Sequence, residues 1–341
     1  MTATAENSAA PTDGGAVLGD LIEALRTNPS LRAKAAIGLV TEVFGDTDWL
    51  AGPGDDGAAV PVGGSTVIAC GEALWPPFVR QDPFGAGVAA VLANVNDLAA
   101  MGATPLGIVD TIVADAQVAR QVLEGMRHAC GLYDVPLLGG HLTDHSGEPA
   151  VSAFGVGEAH RPLSVTNARP GQSLVVACAT EGDMRADFPF FRSFGVRADR
   201  VADDTRLLRA VADAGDCVAA KDISMAGLVG SLAMLLEHSR LGVTVDLDLV
   251  PRPEGVPLEL WLRCFPSFGF LLCVPEGREQ PAMRPFHDRG LDAVVVGRLN
   301  DSGLLRLRLA GQQATAIDLR HETVTGLRPP TPDLDPARSA R

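Results

Sequence analysis

The sequence predicts an α/β (α+β) fold of two domains, and three observations carry this prediction. The chain has 341 residues, enough for two domains that each bury a core. Apolar strand-like segments alternate with helical segments in both halves, which is typical of sheets covered by helices. A polar connector over 160–173 separates the halves. We therefore expect a first domain over 17–160 and a second over 161–326, between a disordered N-terminus, 1–16, and a disordered tail, 327–341.

Hydrophobic periodicity assigns the elements in chain order. In the first half it predicts two helices within 17–44, a strand at 65–70, a helix at 85–102, a strand at 105–114, a helix at 117–131 and strands at 135–141 and 150–159. In the second half it predicts a strand at 173–180, a helix at 199–215, a strand that leads into a helix at 225–238, and strands at 242–250, 268–275, 291–300 and 304–310.

Composition indicates a soluble globular protein and excludes several classes of partner. Hydrophobic residues make up 46% of the chain and charged residues 21%. The net charge of −14 argues against nucleic acid and anionic membranes, which both need a basic protein surface. No apolar run approaches the ~20 residues that cross a bilayer, and the N-terminus lacks the pattern of a signal peptide. We expect a cytoplasmic protein whose six cysteines, none in a Cys-x-x-Cys pair, are reduced.

Asp97 is the first candidate functional residue. It is the only ionisable residue between Pro83 and Val109, and helical spacing places Asn94, Asp97 and Met101 on one face. Burying a carboxylate in so apolar a helix is costly unless a cation or several donors accompany it. The residue is therefore either a metal ligand or a solvated or capping aspartate, and this segment alone leaves both interpretations open.

A second candidate is the segment GPGDDGAAV, which contains Asp55 and Asp56. The glycines let the backbone approach a ligand closely, and adjacent carboxylates suit magnesium. The same residues also form ordinary turns, so a turn without a ligand is the alternative.

A third candidate is the segment LLGGHLTDH. The pair Gly139 and Gly140 after an apolar strand is typical of a loop that cradles phosphate with backbone amides. His141, Asp144 and His145 could bind a metal or could simply be polar loop residues. Their spacing does not match a zinc pattern, although a zinc hydrolase that uses His141 and His145 is a third functional class.

A fourth candidate is the segment KDISMAGLVG. Ser224 is predicted to be the N-cap of the following helix, whose N-terminus, with Lys221 and Asp222 beside it, could receive a metal-bound phosphate. A capped core helix without a ligand is the alternative. Lys221 is one of only two lysines in the chain, the other being Lys34. The P-loop lysine motif and the dinucleotide-binding glycine motif are both absent.

The order and spacing of these segments resemble a known superfamily. A glycine-flanked Asp-Asp, the segment DPFGAGVAAVLANVNDLAAMGATP, a strand ending in GGH, and KDIS before a helix follow one another between about residues 52 and 300. This arrangement is similar to the aminoimidazole-ribonucleotide-synthetase-related (PurM-like) superfamily, which includes thiamine-monophosphate kinase, selenophosphate synthetase and a hydrogenase-maturation protein. NVNDLAAMGATP is the most specific of these segments.

The resemblance implies a PurM-like fold, in which sheets of the N-terminal domains pair to form a homodimer and the C-terminal domain is α/β. It also implies ATP held by several magnesium ions and acidic residues. Carried over by position, Asp56, Asp97 and Asp222 would be metal ligands, and Ser224 and the pair Gly139 and Gly140 would lie near the nucleotide. Our hypothesis adds Glu72 as a further metal ligand and Asn94, on the same helix face as Asp97, as a nucleotide-binding residue. It takes Asp97 and His141 as the catalytic residues, with His141 bonding phosphate or assisting proton transfer.

The sequence also departs from the characterised members of this superfamily. Gly71 and Met225 stand where the kinases carry aspartates, and His141 stands where they carry an aspartate after the paired glycines. The N-terminal cysteine of selenophosphate synthetase has no counterpart, since the first cysteine is Cys70. We expect an ATP- and Mg²⁺-dependent phosphoryl transfer to a small anionic metabolite. The alternative is a catalytically degenerate nucleotide-binding protein that serves as a regulatory or scaffold subunit.

Overall fold

The structure of the protein is a computed structural model that describes residues 14–45 and 54–327. Its helices are α1 Gly14–Arg26, α2 Pro29–Ala33, α3 Leu39–Phe44, α4 Pro76–Gln81, α5 Pro83–Ala100, α6 Ala116–Tyr133, α7 Val201–Asp213, α8 Gly227–Glu237, α9 Leu258–Leu262 and α10 Glu279–His287, with 3₁₀ helices at Lys34–Gly38 and Val165–Asn167. Its strands are β1 Ala58–Val62, β2 Ser65–Ala73, β3 Thr104–Ala114, β4 Leu137–Asp144, β5 Ala150–Ala159, β6 Ser173–Cys178, β7 Asp183–Met184, β8 Phe190–Arg192, β9 Ala219–Asp222, β10 Gly242–Asp246, β11 Phe265–Pro266, β12 Gly269–Val274, β13 Asp292–Asn300, β14 Leu304–Leu309 and β15 Gln312–Asp318.

The structure tests part of the disorder that was predicted for the two ends of the chain. Residues 14–16, part of the predicted disordered N-terminus, belong to helix α1, so the prediction was wrong there. The remaining positions of that segment, 1–13, and positions 328–341 of the predicted tail lie outside the described residues. Within the described ranges, no helix combines the length and apolarity needed to cross a membrane.

The first domain is a five-stranded sheet in the order β1-β2-β5-β3-β4, in which only β3 and β4 pair in parallel. Helices α5 and α6 cover one face and pack closely against each other. A Cβ added to Gly87 would lie 2.0 Å from the Val122 carbonyl oxygen, and one added to Gly125 would lie 2.0 Å from that of Phe84. Glycine is therefore required at both positions for the two helix backbones to approach so closely.

The other face of this sheet carries exposed apolar side chains. Val60, Leu106 and Phe154 are 52%, 48% and 44% exposed, respectively. In the described part of the chain, no helix packs on this face. A soluble monomer rarely leaves so much apolar surface uncovered, so this face is a candidate interface.

The second domain is a seven-stranded mixed sheet in the order β15-β14-β10-β13-β6-β12-β9. Helices α7 and α10 cover one face, and α1, α8 and α9 cover the other. Helix α1 was predicted to open the first domain at residue 17, but Leu18, Leu21, Ile22 and Leu25 lie in the core of the second domain. The apolar stripe of α1 therefore belongs to the second sheet, and the predicted boundary at residue 17 is corrected.

Helix α5 connects the two domains. Its C-terminal end contacts α7 and β9 of the second domain. The Leu163 N–H in the connector donates to the Met101 carbonyl directly after the helix, at 3.1 Å. The end of α5, which carries Asp97, therefore lies at the domain junction.

Candidate functional site

Three aspartates from separate segments meet at the domain junction. Asp56 precedes β1, Asp97 lies in the last turn of α5, and Asp222 ends β9. One carboxylate oxygen from each lies within 4.8 Å of the others. Among the described residues, these three form the only group of His, Cys, Asp or Glu side chains placed to hold a metal ion. The structure thus brings together three of the four predicted metal ligands.

Asp56 is held in place by the second domain. The Lys221 ammonium donates to its Oδ1, and the Asp222 backbone N–H donates to its Oδ2 at 3.0 Å. The neighbouring glycines allow this approach, since Gly54 has a φ of 104° and a Cβ on Gly57 would lie 2.9 Å from the Ile68 Cγ2. The two interpretations of this segment are therefore compatible, because the turn is what delivers Asp56 to the cluster.

Burial and neighbouring charges shift the pKa values of the residues in the cluster. Burial raises the pKa of Asp97 well above its usual range, and the charges of Asp222 and Asp56 raise it further. Burial, followed by the charge of Asp56, raises the pKa of Asp222 to about 7. The burial of Lys221 by itself lowers its pKa, but Asp56 and Asp222 outweigh burial and raise this pKa above its usual value. The cluster therefore carries negative charge that a cation or a proton must balance.

Asn94 lies one helical turn before Asp97 but has a structural position. Its Oδ1 accepts from the Gly155 N–H at 2.7 Å, and its Nδ2 donates to the carbonyls of Ala90 at 2.8 Å and Ala153 at 3.2 Å. The side chain is fully buried between α5 and β5. These bonds join the helix to the sheet, so the geometry argues against the predicted role of Asn94 in nucleotide binding.

Strand β2 places Glu72 on the inner face of the first sheet. Its neighbours two and four residues earlier, Cys70 and Ile68, contact the inner side, and alternation puts Glu72 with them. Burial raises the pKa of Glu72, while the charge of Lys34 lowers it. Gly71 faces the opposite way, because a Cβ there would lie 2.7 Å from the Phe154 Cδ1. In this strand the carboxylate that points inward is therefore that of Glu72. Gly71 points outward, so the absence of an aspartate at position 71 does not remove an inward carboxylate. Glu72 lies outside the group of three but its charge acts on Asp97.

The GGH segment differs from its prediction. Gly139, Gly140 and His141 lie inside strand β4 and not in a phosphate-binding loop. Gly140 pairs with Asp110, and a Cβ there would lie 1.6 Å from the Asp110 Oδ1, so this position faces inward. His141 pairs with the exposed Thr111 and faces the open side of the sheet. Asp97 and His141 therefore lie on opposite sides of the first sheet and do not form one catalytic pair within a chain.

Ser224 was predicted to be the N-cap of α8, and this was wrong. The helix begins at Gly227 with Ala226 as its N-cap, and the Ser224 N–H donates to the Ser231 Oγ at 3.1 Å. Gly227, the first residue of the helix, has a φ of 71° that marks a tight turn, and the helix begins two residues after its predicted start at 225. Ser224 lies two residues after Asp222, and its contact with a nucleotide stays a prediction.

Three charged residues have positions that the sequence did not indicate: Asp55, which was considered only as a magnesium ligand or a turn residue, and Asp110 and Lys34, to which no role was assigned. Asp55 accepts from the Ser164 hydroxyl at 2.6 Å and from the Val165 N–H at 3.2 Å, so it ties the first domain to the connector. Asp110 is 5% exposed within an apolar strand. Its signal, a lone acidic residue in PLGIVDTIVA, is the one that singled out Asp97. The charge of Lys34 acts on both Glu72 and Asp222, which nothing in its surroundings along the chain indicated.

Two family profiles match most of the described chain. The profile of the AIR synthase related protein, N-terminal domain, matches residues 54–159, and that of the C-terminal domain matches residues 173–310. The chain belongs to the AIR synthase related family. This confirms the resemblance and the two-domain α/β fold of PurM-like type.

Two kinds of relative share sequence with this AIR synthase related protein. Uncharacterized protein sll0787 of Synechocystis sp. is 33% identical over 276 residues, which cover 80% of this chain and 86% of the relative. Phosphoribosylformylglycinamidine synthase subunit PurL of Synechococcus sp. strain CC9902 is 27% identical over 295 residues, which cover 79% of this chain. The match spans only 38% of that PurL subunit.

Solved structures share the fold at low sequence identity. Thermotoga maritima PurL complexed with ATP matches with a TM-score of 0.68 and 18% identity, covering 80% of this chain and 46% of that one. AaThiL complexed with AMPPCP and TMP matches with a TM-score of 0.63 and 18% identity, covering 81% of this chain and 94% of that one.

Proposed function

We propose that this chain binds ATP with Mg²⁺ at the cluster of Asp56, Asp97 and Asp222 and transfers a phosphoryl group to a small anionic metabolite. The observation that carries the proposal is the convergence of three carboxylates from two domains within 4.8 Å. The solved complexes of PurL with ATP and of AaThiL with AMPPCP and TMP, proteins of the same fold, support a nucleotide at such a site.

The residues present fit a magnesium ion. Mg²⁺ prefers oxygen ligands and is bound in nucleotide sites through one or two carboxylates together with phosphates. The raised pKa values of Asp97 and Asp222 indicate negative charge without enough compensation. Bound there, Mg²⁺ would neutralise phosphate charge and orient the nucleotide. The position of the cluster between the domains would allow the second domain to hold the acceptor.

The second candidate function is a nucleotide-binding regulatory or scaffold subunit. Two observations favour it. Met225, where the kinases carry an aspartate, has an exposed thioether side chain that offers magnesium no oxygen. His141 lies on the far side of the sheet from the cluster. Gly71 no longer supports this alternative, because Glu72 supplies the inward carboxylate of that strand.

Phosphorus NMR separates the two functions. The protein is incubated with Mg-ATP alone and with a panel of phosphate- and carboxylate-bearing acceptors, and ADP, AMP and new phosphoryl signals are followed. Acceptor-dependent turnover that Asp97→Asn abolishes supports the enzyme. Saturable ATP binding by calorimetry without turnover for any acceptor supports the subunit. Absence of ATP binding in the presence of Mg²⁺ contradicts both.

We also propose that two copies pair through the open face of the first sheet. That face presents Val60, Leu106 and Phe154 to solvent, and no described element covers it. Pairing would remove this apolar surface from water, and it would place His141 in the interface. Light scattering coupled to size exclusion would then give the mass of a dimer.

A further inference from the structure

The buried ammonium group of Lys221 lies within the proposed magnesium site. We propose that Lys221 takes the place of one metal ion, so that the site holds a single divalent cation between Asp97 and Asp222. This inference rests on the proposed function and specifies how its site is charged. The superfamily resemblance implied several magnesium ions, and the arrangement of this chain's own residues argues for fewer.

Asp56 is already occupied by protein groups. Its Oδ1 accepts from the Lys221 ammonium and its Oδ2 accepts from the Asp222 N–H at 3.0 Å. The side chains of Lys221 and Asp56 are 3% and 4% exposed, so water does not screen this pair. A metal ion on Asp56 would have to displace or adjoin the ammonium, which costs a buried, hydrogen-bonded ion pair.

Asp97 and Asp222 are in a different situation. Within residues 14–45 and 54–327, neither carboxylate accepts a hydrogen bond from another side chain or from the backbone. Asp222 is buried and Asp97 is partly buried, and one oxygen of each lies within 4.8 Å of the other. They are the two members of the cluster whose oxygens are left for a cation.

The charges agree with this assignment. Three carboxylates and one ammonium leave the cluster with two negative charges, which one divalent ion balances. The chain contains only two lysines among its 28 basic residues, and both act on this cluster. An ammonium is a compact point charge, whereas the guanidinium of arginine is planar and larger, so lysine is the better substitute for an ion among carboxylates.

The test is the number of Mn²⁺ ions bound per chain. Free Mn²⁺ is measured by EPR during titration of the full-length protein without nucleotide, in 0.15 M KCl to screen the acidic surface. The wild-type protein should bind one ion tightly. Lys221→Met should bind two, because Asp56 is released for a second ion. The double variant Lys221→Met/Asp56→Asn removes the ion pair together and should fold and bind one ion.

The outcomes distinguish the inference from the function on which it rests. Two or more tight ions in the wild-type protein would overturn the role of Lys221 and leave a metal-nucleotide site intact. A single ion in a folded Lys221→Met variant would also overturn it. If Lys221→Met fails to fold, the test rests on the number of Mn²⁺ ions bound by the wild-type protein and by the double variant. A double variant that binds no Mn²⁺ contradicts the inference. Binding of neither Mn²⁺ nor ATP by the wild-type protein refutes the proposed function itself.

Discussion

Replacing Asp97 by asparagine should stabilise the metal-free protein and remove its stabilisation by Mg²⁺. The reason is that a partly buried carboxylate beside two others destabilises the folded state until a cation binds. Asparagine has nearly the same shape and no charge. The two effects have opposite signs, so a general loss of folding cannot imitate them.

The distances in the cluster give the expected change in the free energy of unfolding. At 4.8 Å and an effective dielectric constant of about 20, each neighbouring charge contributes about 3.5 kcal/mol. Asp56 and Asp222 repel Asp97 and Lys221 attracts it, so the net repulsion is about one such interaction. The destabilisation by the charge of Asp97 has an upper limit, because the folded protein can protonate the group instead. Holding a proton at pH 8 on a group with an ordinary pKa of 3.8 costs about 6 kcal/mol. We expect Asp97→Asn to raise the metal-free stability by about 3–6 kcal/mol at pH 8.

The assay is urea unfolding at pH 8 with EDTA and with saturating Mg²⁺. A matched control is Asp204→Asn, which removes a carboxylate that is 1% exposed but paired with Arg197 at 2.9 Å. Because that charge is paired, its loss should destabilise the protein by about 3–5 kcal/mol in both conditions. Wild type should gain stability from Mg²⁺, and Asp204→Asn should gain the same amount.

If Asp97→Asn is less stable than wild type in EDTA, groups other than a cation stabilise the carboxylate, and the predicted gain in stability is refuted. An undiminished Mg²⁺ effect in this variant would show that the ion binds elsewhere. ATP affinity measured by calorimetry should fall together with the Mg²⁺ effect.

Three further predictions concern pH, assembly and packing. Burial raises the pKa of Asp55 and Asp222 to about 7, so the folded protein holds more protons than the unfolded chain between about pH 4 and 7. Metal-free stability should therefore fall as pH rises from 5.5 to 7.5, by up to about 1.4 kcal/mol per unit for each group, and a rise in urea-unfolding experiments would contradict this. Phe154→Glu on the open sheet face should shift the light-scattering mass from dimer to monomer, and an unchanged dimer would place the interface elsewhere. Gly87→Ala should cost about 1–3 kcal/mol or more, because its Cβ would meet the Val122 oxygen at 2.0 Å. Gly131→Ala, whose Cβ meets nothing within 4 Å, should stabilise the same pair of helices by up to about 1 kcal/mol, and equal effects in thermal melts would refute the packing argument.

Sequence periodicity was sufficient for the long elements. The helix predicted at 85–102 is observed at Pro83–Ala100, and the strand predicted at 150–159 is observed at Ala150–Ala159. Elements that bury one continuous face carry this signal. Strand β1 was missed because AAVPV lies at an edge, leaves most of its residues exposed and contains a proline. Helix α1 was predicted, but its apolar stripe does not indicate which of the two sheets the helix packs against.

The sequence indicated the acidic residues of the candidate site, but not which face of the sheet each strand residue occupies. Asp97 stood out because an isolated carboxylate in an apolar helix has few structural explanations. The faces of His141 and Gly71 could not be assigned, because a shift of one residue along a strand moves a side chain to the other face of the sheet and a single sequence does not fix that register. The hydrogen bonds of Asn94 to the sheet could not be foreseen, because helical spacing identifies the face on which a residue lies but not its hydrogen-bond partners.

The contact between Asp56 and the end of β9 joins positions 166 residues apart. Closing a loop of that length costs an unfolded chain about 4–5 kcal/mol of conformational entropy. In the folded protein, the bonds that Asp56 accepts from Lys221 and from the Asp222 N–H hold these positions together before any ligand binds, so ligand binding does not have to close the loop. A divalent ion would therefore meet a preassembled pair of ligands and act as a clasp between domains. A chain cut once in the connector 160–173 would keep every contact of this junction, and its two halves should stay together, more firmly with the ion than without it.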